Sequence, residues 1–462
     1  MQNNRLGSSL AFFMLATVLI VSSGYAATET RLLPGDFLYL GAFRLPDVAG
    51  DCDWTYSGHG MTYYPDGDAA GPQDGYPGSL YATGNDSICQ FVSEIAIPVP
   101  VKSATKNLAE LNTATTLQPF QDIRNNIFGP FGDLIIPRAG LAYLPPQGAQ
   151  TTGKLHFCWA QHIQDFEVSH GWSELNLSAP QTKGAWYIGS YTNYVTNDYL
   201  LEIPVSWANA NTPGLRLATG RAREGPWAGL GPALFAYGPW LAGNPPAPNV
   251  TINHIKPLLL YGVQTPGVPE ITTDPSMAVN DYQDSDHWYG AEWLTSGDKT
   301  ALIFIGTKAL GSSWYGFADG TVWPYDCAEP TTPPCPVVPD WPNNDRGFWA
   351  DDYTVQVIFY DPDDLAKVAN GTLQPWQPQP FASLDLAEYF YDPNIDPARY
   401  KRDLVGAIAY DRAHNLLYVT EKLVDSDKSI IHVFGIKSTY LVKPGTQGKA
   451  PVGSYLLLLD KP

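Results

Sequence analysis

Cysteine is scarce, with five in 462 residues, too few for a fold built on disulfides in place of a core. Basic residues are scarce too. The 27 Lys and Arg face 46 Asp and Glu and leave a formal net charge of −19. Nucleic acid and anionic membranes both require a basic footprint, so this balance excludes them as main partners and favours a cation or a neutral polar ligand. Helical periodicity is nearly absent, "DPDDLAKVANG" being the clearest instance, Asp-capped and ending at Gly371. HExxH, CxxC, GxSxG and glycine-rich phosphate loops are all missing, which removes the motif-defined zinc proteases, redox dithiols, α/β-hydrolases and P-loop enzymes.

Long apolar runs are also few. "LAFFMLATVLIV", from Leu10 to Val21, follows the lone cation Arg5 and leads into small residues ending at Ala27. It is shorter than the ~20 residues that span a bilayer, and its layout predicts a secretory signal over residues 1–27. The mature chain is therefore expected to be secreted or periplasmic, without membrane insertion, in an oxidising space. Cys52 precedes the first candidate strand and Cys89 follows the next, while Cys327 and Cys335 bracket "AEPTTPP". Two bridges, Cys52–Cys89 and Cys327–Cys335, are predicted, with Cys158 in "LHFCWA" a buried free thiol.

What the chain does contain is a recurring unit: a glycine, an apolar-aromatic strand, a turn and a second apolar strand. It appears as "GMTYYPDG…SLYATGND" from Gly60, "GLAYLPPQG…KLHFCWAQH" from Gly140, "GAEWLTSGDKTALIFIGTK" from Gly290 and "GAIAYDRAHNLLYVTEK" from Gly406, with a weaker "GPALFAYGPW" from Gly231. Further strands follow in most copies, such as "FVSEIAIPV", "WSELNLS", "VQVIFYD" and "IIHVFGI". Repeated four-stranded sheets, none able to cover its own faces, predict an all-β β-propeller of about five blades over residues 28–438. A two-layer sandwich competes but does not predict the repeat. The last unit is one strand short and the N-terminal "FLYLGAFRLP" lacks a unit, so pairing the two closes the ring. Residues 439–462 read as a C-terminal extension.

With these hairpins the chain resembles a secreted bacterial β-propeller, although it has no sialidase-type Asp box, WD spacing or kelch Gly-Gly signature. The resemblance implies ligand binding over the central channel. The face concerned is the one where the chain enters the innermost strands and where the loops joining second to third strands project. It implies no particular chemistry.

That geometry gathers candidates from distant parts of the chain. His59, Arg138, Tyr289 with Asp286, His287 and Trp288, and Asp403 with Arg402 stand ahead of innermost strands; Asn85, Asp86, Gln161, His162, Lys308, Glu421 and Lys422 follow second strands. "GRAREGPW" adds Arg221, Arg223 and Glu224. We expect His59, Asp86 and Glu421 to carry acid–base catalysis, which needs titratable groups in different environments. Arg138, His162, Glu224, His287, Trp288, Tyr289 and Lys308 are expected to bind substrate. Asp281, Asp284 and Asp286 in "DYQDSDHW" form an acidic loop of the kind that holds Ca²⁺, and His59, His162 and His287 are a possible transition-metal set. The opposite ends of the same strands, "YPDG", "PPQG", "TSGD" and "DRAHN", read as ordinary turns.

Fourteen Trp and 27 Tyr invite a carbohydrate ligand, since flat rings pack on sugar faces, with Trp54, Trp314 and Tyr315 flanking the expected site. The expectation is a monomeric, secreted propeller that takes a polar small molecule, with glycan the leading class, and either only binds it or also cleaves it as a hydrolase or lyase. The alternatives are a non-catalytic structural or interaction protein and a metal-dependent hydrolase.

Overall fold

Five four-stranded antiparallel sheets are arranged as blades around one axis in the computed structural model, which describes residues 30–48, 50–68, 71–128, 138–160, 165–324, 326–327, 335–341, 343–391 and 402–437. The expected signal segment 1–27, His162 and the extension 439–462 lie outside the described residues, as does the side chain of Arg138. From innermost to outermost, blade I is Met61–Tyr64, Ser79–Thr83, Val92–Ala96 and Thr116–Gln121. Blade II is Arg138–Leu144, Lys154–Ala160, His170–Ser173 and Lys183–Ile188, with Thr251–Ile252 added in parallel at its rim. Blade III is Tyr199–Glu202, Leu217–Gly220, Leu234–Tyr237 and Ile255–Leu259. Blade IV is His287–Ser296, Lys299–Gly316, Gly347–Tyr360 and Ala382–Asp385. Blade V is Val405–Asp411, Leu416–Asp425, Lys428–Ile436 and the N-terminal Phe37–Arg44.

The recurring glycine has a packing cause. A Cβ on Gly140 would lie 3.0 Å from the backbone carbon of Tyr199 in the next blade, and one on Gly406 would lie 2.1 Å from the carbonyl oxygen of Gly58. Neighbouring innermost strands pass so close at the axis that only hydrogen fits between them. Blade III opens instead on Asp198 and Tyr199 and has no such glycine. "GPALFAYGPW", expected to start that blade, supplies its third strand. "GRAREGPW" therefore follows the second strand of blade III.

Away from the axis the blades bury both faces. Lys154–Ala160 is buried at every position, which explains its continuous apolar run. Aromatic and branched side chains fill the wedges between blades: Tyr81, Leu141 and Phe157 between I and II, and Tyr199, Trp293, Phe304 and Tyr360 between III and IV. Among the described residues helix is confined to α1 (Val205–Asn211) and α2 (Pro362–Ala369), apart from single 3₁₀ turns. The Asp361 carboxylate accepts from the Asp363 amide at 2.9 Å, and Gly371 follows the last turn at φ +81°, the stop signal read from the sequence.

Closure follows the expected route. Phe37 pairs with Ile436 and Arg44 with Ile430, antiparallel, with one irregularity between Tyr39 and Gly41. The Arg44 guanidinium grips the Asp425 carboxylate at 2.8 and 3.0 Å, and Asp36 pairs with Lys299 of blade IV at 2.8 Å. Disulfides join Cys52 to Cys89 and Cys327 to Cys335, while Cys158 is free and buried. Among the described residues no helix is long and apolar enough to cross a membrane.

Phe43 is fully buried where the closing strand meets blades I and V. Phe43→Ala is expected to cost about 3–5 kcal/mol in a urea titration, and deletion of residues 37–46 to destabilise the whole ring. An unchanged cooperative transition in the deletion variant would show that the ring does not depend on this strand.

Candidate functional site

The upper face, where chains enter the innermost strands, carries two linked polar clusters. In the first, His59 at the start of blade I places Nε2 2.6 Å from Asp86, which stands in the loop after that blade's second strand. Lys422 Nζ approaches the same nitrogen at 3.4 Å from blade V. Burial works to raise the Asp86 carboxyl, but the hydrogen bond and charge of His59, helped by Lys422, hold it below the usual range. The Asp86 side chain remains 20 % exposed.

The second cluster draws on three blades. His287 Nε2 lies 2.5 Å from the Glu224 carboxylate of blade III. His287 Nδ1 contacts the Tyr289 hydroxyl, and that hydroxyl donates to Asp403 at the start of blade V. Tyr289 is the extra residue of a bulge, since Trp288 pairs with Gly306 and Gly290 with Ile305. Bulges of this kind re-aim a side chain next to a site. Gly306 is required opposite, because a Cβ there would lie 1.8 Å from the His287 carbonyl. Lys422 Nζ sits 5.7 Å from the centre of the Tyr289 ring and so joins the two clusters.

Charge balance orders the second cluster. Burial disfavours a charged His287, yet Glu224 and Asp403 raise its pKa above the ordinary value. Burial likewise opposes ionised Asp403, while bonding toward His287 and the charges of Lys422 and Arg402 hold it well below the carboxylate range. An imidazolium donating from both nitrogens satisfies the chain: Nε2–H to Glu224, Nδ1–H to the Tyr289 oxygen, and Tyr289 O–H to Asp403. Glu224 and His287 are enclosed, whereas the Asp403 side chain is 32 % exposed. The Arg402 guanidinium stacks 4.1 Å over Trp349 on the extended hairpin of blade IV. His59, Asp198 and Tyr289 together line the constriction of the channel, where the cavity volume is only about 10 Å³.

Other expected residues lie elsewhere. The Glu421 carboxylate is fully buried against His432 Nε2 at 2.7 Å and the Tyr391 amide at 2.9 Å; its neighbour Lys422 is the one that reaches His59. Successive strand residues face opposite sides, so one position decides the outcome. Lys308 holds Asp286 at 2.9 Å, and both, with Trp288 and Asp281, line a separate cleft of about 250 Å³ on the flank of blade IV. The Asp286 carboxylate also accepts from the amides of Gln283 and Ala309. No group of three or more His, Cys, Asp or Glu among the described residues has a metal-holding arrangement, so Asp281, Asp284 and Asp286 are not gathered into a ligand set. Trp54 is core. Trp314 and Tyr315 are half-buried on the extended hairpin, with Tyr315 5.1 Å from Phe348. Lys422, Asp403 and Arg402 are the site members that the selection of catalytic and binding candidates passed over.

No family model matches this chain, and no curated protein matches its sequence.

The pairings fix two opposite pH signatures. Asp403, depressed in the folded state, contributes stability above the unfolded value near 4 that is lost as pH falls. His287, raised in the folded state, contributes stability that is fully present below about pH 6.5 and lost as pH climbs through its folded value. Urea titrations from pH 3 to 9 should show the Asp403→Asn deficit widest above pH 4 and the His287→Gln deficit widest below pH 6.5. Deficits independent of pH would mean that these groups are not ion-paired.

Proposed function

We propose that the upper mouth binds a polar ligand, with carbohydrate as the substrate class, and performs acid–base cleavage on it as a hydrolase or lyase. The observation that supports this is the hydrogen-bonded chain Glu224–His287–Tyr289–Asp403, assembled from three blades and ending at a partly exposed carboxylate beside Lys422. The His287 imidazolium passes its Nδ1 proton to the Tyr289 oxygen as that hydroxyl releases its own proton to Asp403, which delivers it to the ligand; a proton returning along the same chain restores the charge that Glu224 stabilises. The His59–Asp86 pair, held in a different environment across Lys422, serves as the second proton-transfer group. Lys422 and Arg402 orient an anionic or hydroxyl-rich part of the ligand. The protein works outside the cytoplasm, in keeping with its two disulfides, as a monomer without nucleic-acid partners.

A non-catalytic interaction role is the second reading, favoured by one feature. The segment between the second and third strands of blade IV exposes Val322, Val337 and Trp341 at 57, 86 and 69 %, apolar side chains that an interaction partner would cover.

Neutral and acidic oligosaccharides offered to the wild-type protein should be bound and turned over. Tyr289→Phe and His59→Ala are each expected to lower kcat/KM by roughly 10²–10⁴-fold with little change in Tm. Binding without turnover, unaffected by Tyr289→Phe, would support the interaction role. Unfolding of His59→Ala with activity per folded molecule unchanged would make His59 a structural residue only.

A further inference from the structure

The lower end of the channel, where the turns of the innermost hairpins lie, is a funnel rather than a plain set of loops. It has a cavity volume of about 250 Å³ and takes its walls from all five blades: Tyr63 from I, Tyr143 from II, Glu202 from III, Glu292 from IV, Asp411 and Arg412 from V. Three carboxyl groups thus share the cavity with one guanidinium and the phenol rings of Tyr63, Tyr143 and Tyr410.

Most of these charges are already satisfied. Glu202 pairs with Arg216 and lies 3.5 Å from Arg412 Nε. Arg412 donates to the carbonyls of Trp293 at 2.5 Å and Glu202 at 2.8 Å. Asp411 binds the His414 ring at 2.7 Å and the amides of Ala413 and His414. Glu292 differs. Among the described residues its carboxyl has no cation within ion-pair distance, and it accepts from the Trp293 amide at 3.3 Å.

We propose that this funnel is a second ligand site, specific for an organic ammonium ion that sits among the tyrosine rings and pairs with the Glu292 carboxylate. Carboxylates and aromatic faces around one cavity attract a cation from two directions, Coulombic and cation–π. An anionic ligand would meet Glu202, Asp411 and Glu292 with only a committed arginine to oppose them. The proposal concerns the opposite mouth from the acid–base chain and stands independently of it.

Binding carries a proton signature. Burial pushes the Glu292 carboxyl up to about 8; the charge of Arg412 and the amides of Trp293 and Tyr410 work against that rise, while Glu202 adds to it. The empty funnel therefore holds Glu292 protonated at pH 7, and an arriving ammonium must displace that proton to water. Affinity should rise about tenfold per pH unit up to the carboxyl's own pKa and level off above it.

Calorimetric titration with n-butylammonium between pH 6 and 9, with butan-1-ol as the uncharged control, tests this directly. The expected result is saturable binding of the ammonium alone, with proton release below pH 8, and at least tenfold weaker, pH-independent binding by Glu292→Gln. Carbon-13 detection of the Glu292 carboxyl in wild-type protein provides a second reading, its apparent pKa falling by more than one unit when the probe saturates. Tyr289→Phe should bind the probe as wild type does. Absence of binding at millimolar probe, equal binding of butan-1-ol, an unmoved Glu292 pKa, or loss of binding in Tyr289→Phe would each overturn the assignment.

Discussion

Everything in this molecule depends on how closely five innermost strands approach one another around an axis. Where neighbouring backbones nearly touch, as at Gly140 against Tyr199 and Gly406 against Gly58, a side chain would force the blades apart. The wedges farther out are then filled by large aromatic and branched residues, Trp293, Phe304, Tyr360 and Phe157 among them. Small at the axis and large at the rim is the shape that a ring of twisted sheets requires. Such a ring has one unavoidable weak point, the seam. Here the seam is blade V, where the N-terminal strand covers the edge of Lys428–Ile436 and Arg44 is tied to Asp425.

A closed ring has two mouths, and the strand direction makes them chemically different. At the upper mouth carboxylates and cations meet in alternation: Asp86, His59 and Lys422 in one cluster, Glu224, His287 and Asp403 in the other. Buried charges are tolerated because groups of opposite sign lie beside one another. At the lower mouth no cation among the described residues lies within ion-pair distance of Glu292, and burial outweighs the more distant charge of Arg412 to favour its neutral form. In a chain with a formal charge of −19, gathering Arg402, Lys422 and His287 on one face gives that face a local character that the overall balance does not reveal.

Much of the architecture was legible because repetition is a property of sequence. Four glycine-headed hairpins, the orphan N-terminal strand, both cysteine pairs and the capped helix α2 each follow from local chemistry, and each lies where the sequence reading put it. The third blade was misread for an equally local reason. Its innermost strand begins with Asp198 and Tyr199 and lacks the glycine that marks the others, so the pattern shifted to a later strand.

The sites were legible only in outline. The sequence by itself determined which residue types reach the upper face, because strand starts and hairpin loops are set by turn residues and by alternation along the chain. It did not determine which members of a pair face inward: Lys422 meets His59 while Glu421 is enclosed with His432, and the bulge at Tyr289 sets that hydroxyl between His287 and Asp403. Nor did it reveal that turns as ordinary as "DRAHN" would help to enclose a funnel with Glu202 and Glu292. Side-chain direction reverses with each residue along a strand, and contacts between blades join positions up to hundreds of residues apart. Both are decided by register and ring closure, which exist only once the chain has folded.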